Sequence, residues 1–196
     1  MNKFGIQVED LPFLLGAPDD LYAQGYSGSQ TLAAFCDELA KEEHGLKPVQ
    51  KSKFIDLGSG HGAIVAQAQI MGFEFAGGVE VDPHFAELSK RSLSGLGFKP
   101  DIYIGDYFSD AVSELKLGSH KFEDIDYFYV YEQSTTHNGL EHGQAVFEYF
   151  FAKYAKPGAV LLPVSFSTYS LDADYLAEHG CERVDLNSEL HVVRKL

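Results

Sequence analysis

A doubly wound α/β fold is what this sequence predicts, with a mostly parallel sheet, helices on both faces and a C-terminal antiparallel hairpin. Strand-like and helix-like stretches alternate five times between residues 53 and 166, the rhythm of successive βαβ units. The stretch DIDYFYVY at 124–131 is apolar on both faces, as in a parallel strand covered by helices on either side. Near the C-terminus, CERVDL and ELHVVR are two β-type runs separated by Asn187 and Ser188, which reads as a tight hairpin turn.

The elements follow in order. Residues 1–25 hold two prolines, three glycines and no clear period, and read as an arm or lid with a short helix near 19–23. A helix over 29–44 comes next. Ser27 and Gln30 stand at capping-box spacing, Ser29 is a second cap candidate, and Leu32, Phe35, Cys36 and Leu39 recur at helical spacing before Gly45. KFIDL at 53–57 is a short buried strand. Residues 62–71 form a helix with Ile64, Val65, Ala68 and Met71 on its inner face, and 73–81 a second strand. Pro83 suits a first helical turn, and Phe85, Leu88, Ser92 and Leu96 make the buried stripe behind it. A third strand covers 101–104, a short helix lies near 108–116, and the fourth strand is 124–131. Val146, Phe147, Phe150, Phe151 and Tyr154 form a helix face that Lys156-Pro157-Gly158 stops. A fifth strand over 159–166 and a helix near 172–179 precede the hairpin. The chain reads as one structural unit divided into an arm and helix, 1–45, and a main domain, 46–196.

Composition narrows the partners. Fifteen Lys and Arg against 29 Asp and Glu give a formal net charge of −14. So acidic a chain repels phosphate backbones unless its bases are gathered, and here they are scattered, which disfavours nucleic acid. A basic protein surface or a small molecule suits the charge better. The first residues lack the apolar segment of a signal peptide, and no apolar run approaches the roughly 18 residues of a membrane span. The only two cysteines, Cys36 and Cys181, are far apart, so free thiols in a reducing compartment are expected, with the cytoplasm as the location.

The densest chemical signal is FIDLGSGHGAIVAQAQ at 54–69. Gly58, Gly60 and Gly62 fall at the first strand-to-helix turn, where a doubly wound sheet binds its ligand. Glycine there lets a ligand approach the backbone with no Cβ in the way, and the helix behind offers free N–H groups. No Gly-Lys-Ser/Thr follows, so a nucleotide-hydrolase phosphate loop is not supported. Gly58-x-Gly60-x-x-Ala63 also satisfies the dinucleotide fingerprint, so an NAD-dependent oxidoreductase stays open. Glu80, at the end of the second strand, can accept both hydroxyls of a ribose in either case. Asp56 discriminates. A carboxylate just before the turn is awkward beside a pyrophosphate and welcome beside a ligand with a positive end.

In order and spacing, DLGSGHG, GVEVDP, GDYF and KPGAV resemble the class I S-adenosylmethionine-dependent methyltransferases, over about residues 53–166. The resemblance implies a seven-stranded sheet, S-adenosyl-L-methionine as cofactor, and a methyltransferase domain over 46–196. It also implies roles residue by residue. Gly58, Ser59, Gly60 and Gly62 would wrap the methionine part of the cofactor, and Asp56 would act on its ammonium. Glu80 would hold the ribose, Val81 would lie against the adenine, and Asp106 would take the adenine amino group with Tyr107 or Phe108 beside the ring. The first of these segments, GDYF and the Tyr129-Val130-Tyr131 run are similar to small lysine methyltransferases without a SET domain. In those proteins a Tyr/Phe-x-Pro-Thr segment touches the cofactor. Tyr26-Ser27-Gly28-Ser29 stands in its place here without the proline, which makes Tyr26 and Ser29 cofactor-binding candidates.

If the acceptor is a lysine amine it must lose a proton, because its free pKa is about 10.4. An adjacent acid can remove the proton, and an apolar aromatic slot lowers the pKa by desolvation. Tyr131 and Glu132, at the end of the fourth strand, are the catalytic candidates: Tyr131 to line the pocket, Glu132 to contact or deprotonate the acceptor. Tyr127 and Tyr129 lie earlier on that strand. His137, Glu141 and His142 invite a metal reading, but their spacing departs from zinc-protease patterns and they read as loop or helix-start residues. His61 is expected to point to solvent. A methyltransferase of protein lysine is thus the leading expectation. A small-molecule methyltransferase, an NAD-dependent oxidoreductase and a non-catalytic module that keeps the fold are the alternatives.

Overall fold

The structure is a computed structural model and describes residues 4–15, 19–109, 117–131, 136–137, 140–164 and 172–196; of residues 8, 12, 13, 19–29, 136, 137 and 141 it describes the backbone alone. The strands are β1 (Lys53–Leu57), β2 (Phe75–Glu80), β3 (Ile102–Ile104), β4 (Tyr127–Tyr131), β5 (Thr136–His137), β6 (Leu140–Glu141), β7 (Val160–Val164), β8 (Cys181–Asp185) and β9 (His191–Lys195). The helices are α1 (Leu11–Leu14), α2 (Asp19–Ala40), α3 (Ala63–Met71), α4 (Pro83–Gly95), α5 (His142–Ala145), α6 (Ala152–Tyr154) and α7 (Ala173–Glu178). Seven strands make one sheet in the order β3-β2-β1-β4-β7-β9-β8. The pairs among β3, β2, β1, β4 and β7 are parallel. β9 runs against both β7 and β8, which is the expected C-terminal hairpin. Strand order reverses between β1 and β4, so the crevice for a ligand lies at the carboxyl ends of those two strands.

Side-chain alternation divides the core. On one face Ile55, Leu57, Phe128 and Val130 meet Phe147, Phe150 and Phe151. Those aromatics lie in a π-helical segment, Val146–Phe151, between α5 and α6. On the other face Phe54, Tyr127 and Tyr129 meet Leu32, Phe35 and Leu39 of α2 and Ile64 and Ala68 of α3. A third cluster joins Leu11 and Leu15 to Val65 and Ala66 of α3, Ala86 and Leu93 of α4, and Ile102. At the amino ends of β1 and β4 a single carboxylate, Asp126, accepts from Lys47 Nζ and the Lys53 N–H and pairs with Lys156 Nζ, each at 2.8 Å.

Several elements differ from expectation. Helix α2 spans 22 residues from Asp19, so Ser27 and Ser29 lie within it and do not mark its start. Gly25 and Gly28 are poor helix formers, at about 1 kcal/mol each, but propensity yields to tertiary packing, and α2 packs against α1 and α3. In α4 the buried stripe is Ala86, Ser89 and Leu93, one residue on from the expected set. The Asp82 carboxylate accepts from the His84 and Phe85 N–H groups and sets the phase of the helix. That phase turns Ser89 and Leu93 toward Gly62. β4 starts only at Tyr127, because Phe122–Asp124 form a 3-10 turn whose Asp124 carboxylate accepts from the Lys121 N–H. Met71 is half-buried, and Val81 falls just past the end of β2. The expected helix near 108–116 and the end of the fifth strand at 165–166 lie largely outside the described residues. Cys36 and Cys181 are free and buried. Among the described residues no helix is long and apolar enough to cross a membrane.

Candidate functional site

The site is built where β1 ends. Gly58, Gly60 and Gly62 all have left-handed φ, at 82°, 49° and 82°, a region that L side chains rarely enter. The turn is pinned to the neighbouring strand: the Gly58 and Ser59 N–H groups both donate to the Val79 carbonyl, at 2.9 and 3.0 Å. Gly62 N–H then donates to the Ser59 carbonyl at 2.8 Å, and Ala66 N–H to the Gly62 carbonyl at 2.9 Å, which launches α3. The last two of these glycines differ in surroundings. A Cβ on Gly62 would stand 2.4 Å from Ser89 Oγ, whereas one on Gly60 would meet nothing within 4 Å. Gly62 therefore serves close packing of α4, and Gly60 borders open space. Ser59 is turned inward. Its Cβ lies 2.4 Å from where a Cβ on Gly78 would be, and its hydroxyl is buried with no hydrogen-bond partner among the described residues.

Two carboxylates converge behind the turn. Asp56, at the fourth position of β1, is 3 % exposed. Burial first, and the Glu80 charge second, push its pKa up to about 8, so at neutral pH it carries a proton. Glu80, the last residue of β2, is 8 % exposed and holds the backbone on both sides: Oε2 accepts from the Gly60 N–H at 2.8 Å and Oε1 from the Asp82 N–H at 2.9 Å. Each oxygen keeps a second lone pair for a ligand hydroxyl. Beside Glu80 the surface turns apolar. Val81 is 63 % exposed, and Ile104, paired with Glu80 in the β2–β3 ladder, is 42 % exposed.

Asp106 is exposed, and its Oδ1 accepts from the Phe108 N–H at 2.8 Å. Tyr107 belongs to the core. Its ring packs 4.7 Å from Phe108 and 6.1 Å from Phe150, and its hydroxyl sits 2.9 Å from His142 Nε2. Burial, then the charges of Glu80, Asp106 and Asp56, hold the Tyr107 hydroxyl well above its ordinary pKa. Tyr131 ends β4 half-buried, opposite Val164. Glu132 lies outside the described residues, as do the side chains of Tyr26 and Ser29 on α2. His61 is half-buried, its ring 5.1 Å from Phe85, and burial lowers its pKa against the opposing pull of Glu80. It is packed, not turned to bare solvent. His137 and Glu141 fall on the short β5–β6 ladder and His142 opens α5; among the described residues no cluster of three metal-ligating side chains forms.

Sequence reasoning missed three neighbours of the crevice. Ile104 is visible only once β2 and β3 are in register. His142 gives no local signal for its contact with Tyr107, 35 residues away in sequence. Tyr129 stands directly beside Asp56 in the β1–β4 ladder. Chemically, this crevice offers hydrogen-bond acceptors and buried negative charge at its base and apolar surface at its rim. It suits a ligand with a cationic end, vicinal hydroxyls and a flat apolar ring.

No family model matches the sequence, and no curated protein matches it. The fold does match solved structures. An RNA methyltransferase from Salinibacter ruber, in complex with S-adenosyl-L-homocysteine, superposes over 83% of this chain and 89% of its own, with TM-score 0.50 and 18% identity. A mutant of MtNAS, in complex with S-adenosylmethionine, covers 98% of this chain and 74% of its own, with TM-score 0.56 and 15% identity. A ribosomal protein L11 methylase from Lactobacillus delbrueckii subsp. bulgaricus covers 85% and 80%, with TM-score 0.51 and 11% identity. The chain thus has the class I methyltransferase fold.

Proposed function

We propose that this protein is an S-adenosylmethionine-dependent methyltransferase whose acceptor is a protein lysine amine. The observation that carries the reading is the meeting of Asp56 and Glu80 behind the glycine turn, at the point where strand order reverses. The donor set fits the cofactor: Asp56 faces the ammonium, the free lone pairs of Glu80 accept from the ribose, and Val81 with Ile104 borders the adenine. The open space at Gly60 receives the methionine part, with Gly58, Ser59 and Gly62 shaping the backbone around it. Asp106 accepts from the adenine amino group. Tyr26 and Ser29 are the further cofactor-binding residues of this reading, in which the arm and helix, 1–45, act as a lid on the methyltransferase domain of 46–196.

When bound, the cofactor supplies an electrophilic methyl group. The protein's part is to align the acceptor in line with it and to exclude water. Tyr131 lines the slot and favours cationic groups against its ring. Glu132 takes the proton from the lysine ammonium, so that a neutral amine attacks. The reading on protein rather than RNA rests on the net charge of −14. The free buried thiols accord with a cytoplasmic location. The test is incubation of the chain with tritiated S-adenosylmethionine and a cell lysate, followed by separation of protein, RNA and small molecules. Label in methyl-lysine of a protein band supports the assignment. Label in RNA or metabolites alone refutes the lysine acceptor, and tight NADH binding with no response to S-adenosylmethionine replaces the reading with an oxidoreductase.

A further inference from the structure

We propose that Tyr129 is a positioning residue of this cofactor site: its hydroxyl, sealed in the core beside Asp56, donates a hydrogen bond to the Asp56 carboxylate once a cationic ligand has drawn the proton from that carboxyl. The inference rests on the proposed function. Its foundation is the register of β1 and β4, which sets Asp56 against Tyr129. Partners in a parallel ladder present their side chains to the same face, so the two groups are neighbours.

Tyr129 is 1 % exposed, and its hydroxyl has no hydrogen-bond partner among the described residues. A buried tyrosine hydroxyl normally finds one, and leaving it unmade is unfavourable. Tyr127, two residues earlier on the same strand and face, shows the ordinary arrangement: its hydroxyl donates to the Lys47 carbonyl at 2.5 Å. Burial raises the pKa of the Tyr129 hydroxyl first, and Asp56, once ionised, and Tyr131 raise it further, so it stays protonated and a donor.

Asp56 is the natural acceptor. In the free protein it is protonated, because burial and Glu80 both oppose its charge. The titratable groups around it are Glu80 on β2, Tyr129 on β4 and Tyr107 after β3, with Tyr131 beyond Tyr129 and His61 near Glu80. Of these only His61 is basic, and burial lowers its pKa, which disfavours the cation that would hold an ionised Asp56. A ligand ammonium changes that. The Asp56 Oδ–H bond breaks, its proton passes to solvent, and the carboxylate is left between the ammonium and the Tyr129 O–H. No bond within the ligand changes. Tyr129 thus stabilises the carboxylate in the bound state, with a hydroxyl that has no partner among the described residues in the free one.

Calorimetry of S-adenosylhomocysteine binding tests this, in buffers of different ionisation enthalpy and across pH. The wild type is expected to release close to one proton at neutral pH. Its affinity should strengthen about tenfold per pH unit below about pH 8 and level off above. Tyr129→Phe should weaken binding about tenfold, the loss of one charge-assisted hydrogen bond, while the free protein melts no lower than the wild type. Tyr127→Phe is the control and should do the opposite, lowering the melting temperature with affinity unchanged. Wild-type affinity in Tyr129→Phe at every pH, or ligand binding without proton release, overturns the inference alone. Absence of any binding by the wild type overturns the proposed function and takes this inference with it.

Discussion

Replacing Asp56 by Asn should change the pH dependence of stability in a calculable way. Burial and Glu80 raise the folded-state pKa to about 8, against about 3.9 in the unfolded chain. Between those values the folded chain holds a proton that the unfolded chain has lost. Stability from this group is therefore complete below about pH 4 and falls as pH rises toward 8, by about 1.4 kcal/mol per unit. The Asp56→Asn chain has no such titration, and its amide mimics the protonated acid in shape. The stability gap between the two chains should widen, in favour of the variant, by roughly 2.5 kcal/mol from about pH 5 to about pH 7. Taking the gap cancels groups common to both chains, including His61, whose lowered pKa acts in the opposite sense. The chain has no tryptophan, so urea unfolding followed by far-UV circular dichroism is the assay. A gap that stays constant within about 0.5 kcal/mol would mean that Asp56 titrates as an ordinary acid and that the crevice is not the closed, doubly acidic place described here.

Glu80→Ala should cost about 2–4 kcal/mol in urea unfolding, because the Gly60 and Asp82 N–H groups lose their acceptor, and should abolish S-adenosylhomocysteine binding in calorimetry. Gly62→Ala should destabilise by about 2–4 kcal/mol through its left-handed backbone and its clash with Ser89; a neutral result would place the turn elsewhere. For Asp126, burial acts to raise the pKa, but hydrogen bonds from Lys156, Lys47 and the Lys53 N–H outweigh it and hold the value low. Its stabilisation is thus present above about pH 4 and lost as pH falls; Asp126→Asn should cost about 2 kcal/mol at neutral pH and remove that acid-side loss from the unfolding curves.

Much of the fold was legible because buried parallel strands leave apolar runs and glycine turns leave bare ones. The β1 strand, the turn at Gly58, the Glu80 strand end and the C-terminal hairpin are local signals, each short and bounded by glycine, proline or a polar pair. The start of α2 was not legible. Its glycines and capping-box spacing argued for a later beginning, and only packing on α1 and α3 carries the helix back to Asp19. The face of α4 depends on how closely Gly62 admits Ser89, a fact of three-dimensional approach. In the site, Asp56 and Glu80 were readable as acids at strand ends. Their mutual burial was not, since it depends on neighbouring strands in register. The place of Tyr107 in GDYF marks it as a residue for the side of a ligand ring, but gives no sign that its ring packs on Phe150 or that its hydroxyl meets His142, both distant in sequence.

The central claim is that an acid-backed glycine turn at the switch point grips one cationic nucleoside. Titration of S-adenosylmethionine into the wild-type chain and into Glu80→Ala, side by side in a calorimeter, tests it most directly. Saturable heat from one site per wild-type chain, absent in a folded Glu80→Ala chain, is the predicted result. No heat from the wild type at millimolar ligand, or equal heat from both chains, would contradict it.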